Sequence, residues 1–131
     1  MKIVQDLNET QNNTLGSISK NVLLRHLNSF KNNDLQAVIS DYTNESVLIT
    51  QDAIYKGPNE IKVFFASLIK QFPKQNSSFE LDKVIVDDEL VYIVWHGETP
   101  SLDVPFATDT FIIKNGKILR QTFAGQLEFI N

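Results

Sequence analysis

An acidic residue lies inside a stretch that otherwise has the pattern of an apolar β-strand. The segment ATDTFIIK alternates in hydrophobicity, and an Asn-Gly pair typical of a hairpin turn follows it. Because strand residues two apart share a face, Asp109 lies beside Ala107, Phe111 and Ile113. A carboxyl group buried among apolar side chains has a raised pKa and can donate a proton. Asp109 is therefore a candidate for acid–base chemistry; the alternative is a structural carboxylate that accepts hydrogen bonds.

A histidine lies on the apolar stripe of the first predicted helix. In the segment SISKNVLLRHLNSFKNND, residues 17–34, apolar residues recur every few positions. This spacing predicts an amphipathic helix, with Ser17 or Ser19 as its cap. His26 on this stripe is a candidate general base or hydrogen-bond donor. It could equally be a core histidine whose ring is satisfied by its neighbours, and both interpretations stay open at this point.

The composition excludes several kinds of chemistry. The 131 residues contain no cysteine, which rules out disulfides, thiolate nucleophiles and cysteine-based zinc sites. The two histidines come from separate predicted elements and form no metal-binding pattern with the scattered carboxylates. His96 alternates with Trp95, so we expect it on the opposite face of its strand, exposed or at a dimer interface. Neither a metal nor another cofactor is expected.

The charge and hydropathy also limit the possible partners. The net charge is −4 and the 12 basic residues form no dense run, which argues against nucleic acid or an anionic membrane surface. No apolar stretch approaches the ~20 residues that a membrane helix needs. The N-terminal segment MKIVQDLNETQNNT soon becomes polar and does not have the pattern of a secretory leader. A cytoplasmic location is the resulting expectation.

The order of the predicted elements indicates an α+β domain. A polar arm, residues 1–16, precedes a single domain over residues 17–131. The helix of residues 17–34 is followed by a short helix in LQAVISDYT, two short strands, and a third helix in GPNEIKVFFASLIKQF. Four longer strands follow: SSFELDKVIVD, LVYIVWHGE, VPFATDTFIIK and KILRQTFAGQLEF. Helices that mostly precede the strands favour a curved, antiparallel meander with helices on one face.

Both faces of the predicted strands are apolar. Between Leu90 and Gly97, Val91 and Trp95 on one face alternate with Tyr92 and Val94 on the other. An antiparallel sheet with one face in water should alternate more clearly. We therefore expect a homodimer that covers the outer face of the sheet. The alternative is that strand propensity alone selected these residues.

The chain resembles the nuclear transport factor 2-like superfamily, and in particular its SnoaL-like and ketosteroid-isomerase-like branch. The resemblance covers about residues 17–127 and rests on the order of three segments: NNDLQAVISDYTNESVLI, YKGPNEIKVFF and TDTFIIKNGKILR. It implies a cone-shaped α+β barrel, in which three helices pack in a strongly curved, mostly antiparallel sheet around an apolar pocket. Members include isomerases, dehydratases, cyclases, epoxide hydrolases and non-catalytic modules, so the fold does not name the activity.

The resemblance also implies site positions. The isomerases' oxyanion-binding tyrosine falls at His26, their general-base aspartate at Thr50, and their protonated, hydrogen-bond-donating aspartate at Asp109. Only Asp109 matches in residue type, which puts a ketosteroid isomerase mechanism in doubt. His26 and Asp109 remain the candidate catalytic residues. The expected pocket wall contains Phe30, Thr50, Phe64, Trp95, Phe111, Gln121 and Phe123.

Three functions are compatible with this pattern. An enzyme would use His26 and Asp109 for proton transfer, without a cofactor, on a small apolar carbonyl or hydroxyl compound. Isomerisation, dehydration and cyclisation all fit such a pair. A non-catalytic ligand-binding or dimerisation module would explain the loss of the base at Thr50. A protein-binding adaptor that uses the outer sheet face is the third.

Overall fold

The computed structural model describes residues 14–130 of the chain. Three helices are α1 (Leu15–Lys31), α2 (Leu35–Ile39) and α3 (Gly57–Gln71). Six strands are β1 (Tyr42–Thr50), β2 (Ile54–Lys56), β3 (Ser78–Asp87), β4 (Leu90–Glu98), β5 (Leu102–Lys114) and β6 (Lys117–Phe129). The predicted order of elements is confirmed.

The six strands form one curved, mostly antiparallel sheet in the order β2-β1-β6-β5-β4-β3. Only β1 and β6 run parallel to each other. The pairing register shifts within β3, β4 and β5, where bulges locally increase twist and bend the strands. The bent sheet packs around the three helices, so the predicted cone-shaped α+β fold is confirmed.

The helices bury their apolar faces against the inner face of this sheet. In α1 the buried positions include Val22, Leu23, His26 and Phe30, which recur at helical spacing. In the central strands, inward-facing residues alternate with half-buried or exposed ones, as the pleat requires. The core therefore lies in the concave side of the sheet, and polar residues on that side are held among apolar neighbours.

Two local predictions about the N-terminal half were wrong. The cap of α1 is Thr14, whose side chain accepts a hydrogen bond from the backbone of Ser17 at 3.0 Å; Ser17 and Ser19 are buried inside the helix. The second helix ends at Ile39, so Tyr42 opens β1 instead of completing a helical face. Residues 1–13, most of the predicted polar arm, lie outside the described part of the chain.

Candidate active site

Asp109 lies on the inner face of β5 and is bound from both neighbouring strands. It is 7% exposed. Its Oδ1 accepts a hydrogen bond from Nε1 of Trp95 on β4 at 2.9 Å, and its Oδ2 accepts one from Nε2 of Gln121 on β6 at 2.8 Å. The sheet register explains this arrangement, because Asp109 pairs with Ile93 and Phe123, and the two donors are each two residues from those partners.

Burial raises the pKa of Asp109 to about 6, well above the ordinary value for an aspartate. Loss of hydration disfavours the charged carboxylate, and this effect is the largest. The hydrogen bonds from Trp95 and Gln121 and the charge of His26 act in the opposite direction. Both the acid and the carboxylate form of Asp109 are therefore accessible near neutral pH.

His26 occupies the inner face of α1 and is bound at its Nδ1 atom by a second aspartate. The histidine is 3% exposed, and its Nδ1 lies 3.0 Å from Oδ2 of Asp41, the residue directly before β1. Arg25 binds the other carboxylate oxygen of Asp41 through Nε at 2.8 Å and Nη2 at 2.7 Å. Arginine carries only donors, so Oδ2 of Asp41 remains as the acceptor for His26.

Tyr42 and Gln121 connect this histidine to Asp109. The Tyr42 hydroxyl lies 3.3 Å from Nε2 of His26 and donates a hydrogen bond to Oε1 of Gln121. Gln121 in turn donates to Asp109. We call the continuous set of side chains the buried polar network: Arg25, Asp41, His26, Tyr42, Gln121, Asp109 and Trp95. Burial, together with the charges of Asp109 and Asp41, raises the pKa of Tyr42 well above 10, so its hydroxyl keeps its proton.

The inner end of the network faces a small apolar cavity of about 40 Å³. His26, Asp109 and Gln121 provide its polar wall, and ten apolar residues provide the rest: Leu27, Phe30, Phe64, Phe65, Leu68, Phe79, Ile93, Trp95, Phe111 and Phe123. Phe64 and Leu68 also line a larger neighbouring groove of about 380 Å³, whose other lining residues come from α3 and from strands β2, β5 and β6. These two half-buried side chains therefore separate the cavity from the groove.

Eight of the nine residues predicted for the site line this cavity, and Thr50 does not. The hydroxyl of Thr50 accepts hydrogen bonds from the backbone N–H groups of Asp52 and Ala53 at 3.1 and 3.2 Å, in the turn between β1 and β2. His26 and Asp109 both face the cavity, but two intervening side chains connect them. His26 and Asp109 therefore do not contact each other directly, and hydrogen bonds through Tyr42 and Gln121 connect them.

Only weak sequence signals point to a functional role for the remaining members of the buried polar network. Asp41 and Tyr42 follow a five-residue helix, in a segment that was interpreted as its continuation. The period of 3.6 of a helix and the period of 2 of a strand direct these two side chains to different faces. Because the sequence pattern assigns the segment to a helix, it does not predict that Asp41 and Tyr42 point inward. The one available signal is the acid–tyrosine pair directly before an apolar strand. Arg25, whose side chain is 52% exposed, has no sequence feature that distinguishes it from a surface arginine.

The other candidate polar residues lie away from the cavity. The Nδ1 atom of His96 lies 2.7 Å from Oδ2 of Asp82, and both side chains are exposed. Its hydrogen bond to Asp82 raises the pKa of His96. Among residues 14–130 the structure contains no group of three or more His, Cys, Asp or Glu side chains arranged to hold a metal ion. No helix in this described part is long and apolar enough to cross a membrane.

Comparison with known proteins shows which family and which solved structures this chain is similar to. The model of the SnoaL-like domain family matches residues 23–121. No curated protein matches the chain. A nuclear transport factor 2-like protein of unknown function from Mesorhizobium loti is similar in structure, with a TM-score of 0.72, 14% identity, and 89% of this chain and 95% of that chain covered.

Two further similar structures have functional descriptions. SalBIII is an epoxide hydrolase/cyclase-like enzyme with a role in pyran ring formation in the polyether salinomycin; its TM-score is 0.72 at 14% identity, over 86% of this chain and 95% of that chain. A Kribbella flavida protein proposed to be a ketosteroid isomerase has a TM-score of 0.71 at 7% identity, over 90% of this chain and 84% of that chain. At these identities the likeness shows a shared fold.

Proposed function

The chain belongs to the SnoaL-like domain family, and from that premise we propose that it is a small-molecule enzyme that transfers protons without a cofactor. Its substrate would be a small, largely apolar carbonyl or hydroxyl compound. One observation carries the proposal: Asp109, buried at the wall of an apolar cavity, has a pKa of about 6. A group with a pKa near the working pH can both accept and donate a proton effectively.

Asp109 is the proposed acid–base residue, and His26 is its partner. As a carboxylate, Asp109 would take a proton from a carbon next to a carbonyl group; as the neutral acid, it would return the proton to another atom of the same molecule. Isomerisation, dehydration and cyclisation all use such steps. The description of SalBIII as epoxide hydrolase/cyclase-like, and of another similar structure as a proposed ketosteroid isomerase, supports this reaction class.

The substrate would enter from the groove beside α3. The cavity of about 40 Å³ holds little more than a few water molecules, whereas ligand sites typically measure ~300–1,000 Å³. Rotation of Phe64 and Leu68 would join the cavity to the neighbouring groove of about 380 Å³. The joined space would admit a small organic molecule with its reacting carbon beside Asp109.

Hydrogen exchange on carbonyl compounds tests the activity without knowledge of the natural substrate. A panel of small ketones and enones is incubated with the protein in D₂O, and deuterium incorporation next to the carbonyl group is followed by NMR. We expect Asp109→Asn to slow exchange by about 100-fold or more, as loss of an acid–base group does. Asp103→Asn is the matched control, because Asp103 lies on the same strand but outside the cavity, and it should exchange like the unmodified protein.

Exchange that is equally fast in Asp109→Asn would remove Asp109 from the mechanism. Absence of exchange with every compound would favour a second candidate function, a non-catalytic ligand-binding or dimerisation module. Thr50 favours that candidate, because the position that the resemblance assigns to the general base carries no base and does not line the cavity. Such a module would bind apolar compounds with little dependence on pH and would turn none of them over.

We also propose that the protein forms a homodimer through the outer face of its sheet. Large apolar side chains on this face remain open to solvent in one chain: Ile85 is 41%, Leu90 40% and Phe106 54% exposed. Tyr92 and Val94 lie beside them, half-buried on β4. An exposed apolar surface of this kind on a sheet is typical of a contact between protein chains.

A cytoplasmic location stays a prediction from the sequence.

A further inference from the structure

The buried polar network has a fixed hydrogen-bond direction at its outer end. Arg25 donates to Oδ1 of Asp41, and Oδ2 of Asp41 accepts from Nδ1 of His26. The Nδ1 atom of His26 therefore carries a hydrogen whether the ring is neutral or charged. Only the Nε2 atom, 3.3 Å from the Tyr42 hydroxyl, can gain or lose one.

From Nε2 inward, one matched arrangement places the proton on the histidine. Nε2–H of His26 donates to the Tyr42 oxygen, the Tyr42 hydroxyl donates to Oε1 of Gln121, and Nε2 of Gln121 donates to an ionised Asp109. Each donor faces an acceptor along the whole path. The histidine is then a cation and Asp109 an anion.

A second matched arrangement places the proton on the aspartate. The amide of Gln121 turns by half a rotation, so that its NH₂ group donates to the Tyr42 oxygen and its oxygen accepts from a neutral Asp109. The Tyr42 hydroxyl then donates to the bare Nε2 of His26. The number of protons and the total charge are the same as in the first arrangement.

The other two protonation states leave a mismatch inside the protein. With no proton on either residue, lone pairs of His26 and Tyr42 face each other. With a proton on both, one hydrogen has no acceptor in the network: that of Asp109 in the observed orientation of the Gln121 amide, or that of Tyr42 when the amide is turned. Buried polar groups without partners are disfavoured, so the matched states are preferred. Among the described residues, Ser77 Oγ is the only buried side-chain polar atom without a partner, and it lies outside the network.

We propose that His26 and Asp109 share a single proton, and that Tyr42 and Gln121 make its two positions mutually exclusive. This refines the acid–base site proposed above, but it concerns protonation and holds whether or not a substrate is turned over. A base at Asp109 would always be accompanied by a charged donor at His26. The reacting molecule would thus meet one of two states: an ionised Asp109 with a cationic His26, or a neutral Asp109 with a neutral His26.

No other titratable side chain of the described residues lines the cavity beside this pair. From α1 and α3 the remaining lining residues are apolar: Leu27, Phe30, Phe64, Phe65 and Leu68. From β3, β4, β5 and β6 they are Phe79, Ile93, Trp95, Phe111, Gln121 and Phe123. Outside the wall, the charged groups nearest to the pair are Asp41 and Arg25, which are paired with each other. The Tyr42 hydroxyl keeps its proton because its pKa is raised.

NMR measures the two proton positions separately. The ¹⁵N shifts of the imidazole give the fraction of His26 protonated at Nε2, and the ¹³C shift of the carboxyl group gives the fraction of Asp109 protonated. In the unmodified protein we expect the two fractions to add to about one at every pH from about 5 to about 7, because the pair as a whole then loses no proton as the pH rises. His96, which is paired with Asp82 outside the network, provides an internal reference for a histidine that is independent of Asp109.

Tyr42→Phe removes the hydroxyl while keeping the aromatic ring. In this variant the sum of the two fractions should instead fall as the pH rises over the same interval, because the two groups then titrate independently. Tyr92→Phe, outside the network, should behave like the unmodified protein. A sum that falls in the unmodified protein overturns the proposal even if Tyr42→Phe does not fold. A sum that stays near one in a folded Tyr42→Phe variant also overturns it, whatever the exchange assay shows about activity.

Discussion

At the scale of single residues, ionisation of Asp109 lowers the stability of the folded state. Its pKa in the folded chain is about 6, against 3.8 for an ordinary aspartate, so the folded state binds a proton more tightly than the unfolded state between these values. Stability from this group is present at low pH and is lost as the pH rises from about 4 to about 6. The two pKa values correspond to about 3 kcal/mol.

Asp109→Asn should therefore change how stability depends on pH. The amide cannot ionise, so in the Tyr42→Phe background, where Asp109 is uncoupled from His26, the substitution should add up to about 3 kcal/mol of stability between pH 4 and pH 7.5. Urea unfolding of Tyr42→Phe with and without Asp109→Asn at the two pH values measures this difference, and the other titrating groups cancel in the comparison. Asp103→Asn in the same background serves as the control and should show no such gain. Parallel pH profiles with and without Asp109→Asn would contradict the prediction.

Residue patterns locate inward-facing side chains only where the element type is correct. Asp109 and His26 were placed by alternation in a strand and by helical periodicity, and both have inward positions in the structure. Their connection through Tyr42 and Gln121 depends on how α1, β1 and β6 pack together, which no local pattern contains. Hydrogen-bond partners far apart in the chain are set by tertiary packing.

At the scale of elements, the close contact between β3 and β4 depends on a residue without a side chain. A Cβ atom on Gly97 would lie 2.5 Å from the backbone oxygen of Ser78, which pairs with the neighbouring residue Glu98. The strand register shifts just before Gly97 in its pairing with β5. The glycine therefore lets two strands approach each other at the bend of the sheet.

Gly97→Ala should destabilise the protein by about 1–3 kcal/mol, because the backbone of β3 must move to accommodate a methyl group. Gly16→Ala is the matched control: its Cβ would lie 4.0 Å from the nearest atom, Cγ1 of Val86. Because Gly16 is in α1 and alanine favours helix, that variant should be as stable as the unmodified protein or up to about 1 kcal/mol more. Urea unfolding checks both. Equal stability of the two variants would show that β3 yields without cost.

Element boundaries were predictable where turn signals are strong. The Asn115-Gly116 turn defined the end of β5 and the start of β6, and Pro58 and Pro73 bracketed α3. The start of α1 was missed because three polar residues, Thr14, Ser17 and Ser19, could each serve as a cap. Ser19 does not cap the helix, because its hydroxyl donates a hydrogen bond to the backbone oxygen of Asp88 and its side chain is buried.

At the scale of the whole molecule, the homodimer proposed above depends on the outer face of the sheet. The proposed homodimer should have twice the mass of the 14.9 kDa chain when measured by light scattering during size-exclusion chromatography. Tyr92→Glu places a charge on the outer face between Ile85 and Thr110, its uncharged partners on the neighbouring strands, and should yield monomers, since an unpaired charge is costly in an apolar interface. Val63→Glu is the control, because Val63 on α3 is 66% exposed and lies away from this face.

A monomeric mass for the unmodified protein at every concentration would contradict the homodimer and favour a different partner for the outer face. Val63→Glu should remain dimeric, since its charge stays in solvent.

The overall fold was predictable because many weak local signals agreed on one order of elements. The activity was not, since structures 7% and 14% identical to this chain share its architecture and have different descriptions.

The parallel pairing of β1 with β6 also sets an order of events in time. Tyr42 and Gln121 are 79 residues apart in the chain, and such non-local contacts form late because a long loop must close first. During synthesis His26 and Tyr42 leave the ribosome early, whereas Asp109 and Gln121 emerge with the last hairpin. The hydrogen bonds that join Tyr42, Gln121 and Asp109 therefore form only after the β5–β6 hairpin has joined β1.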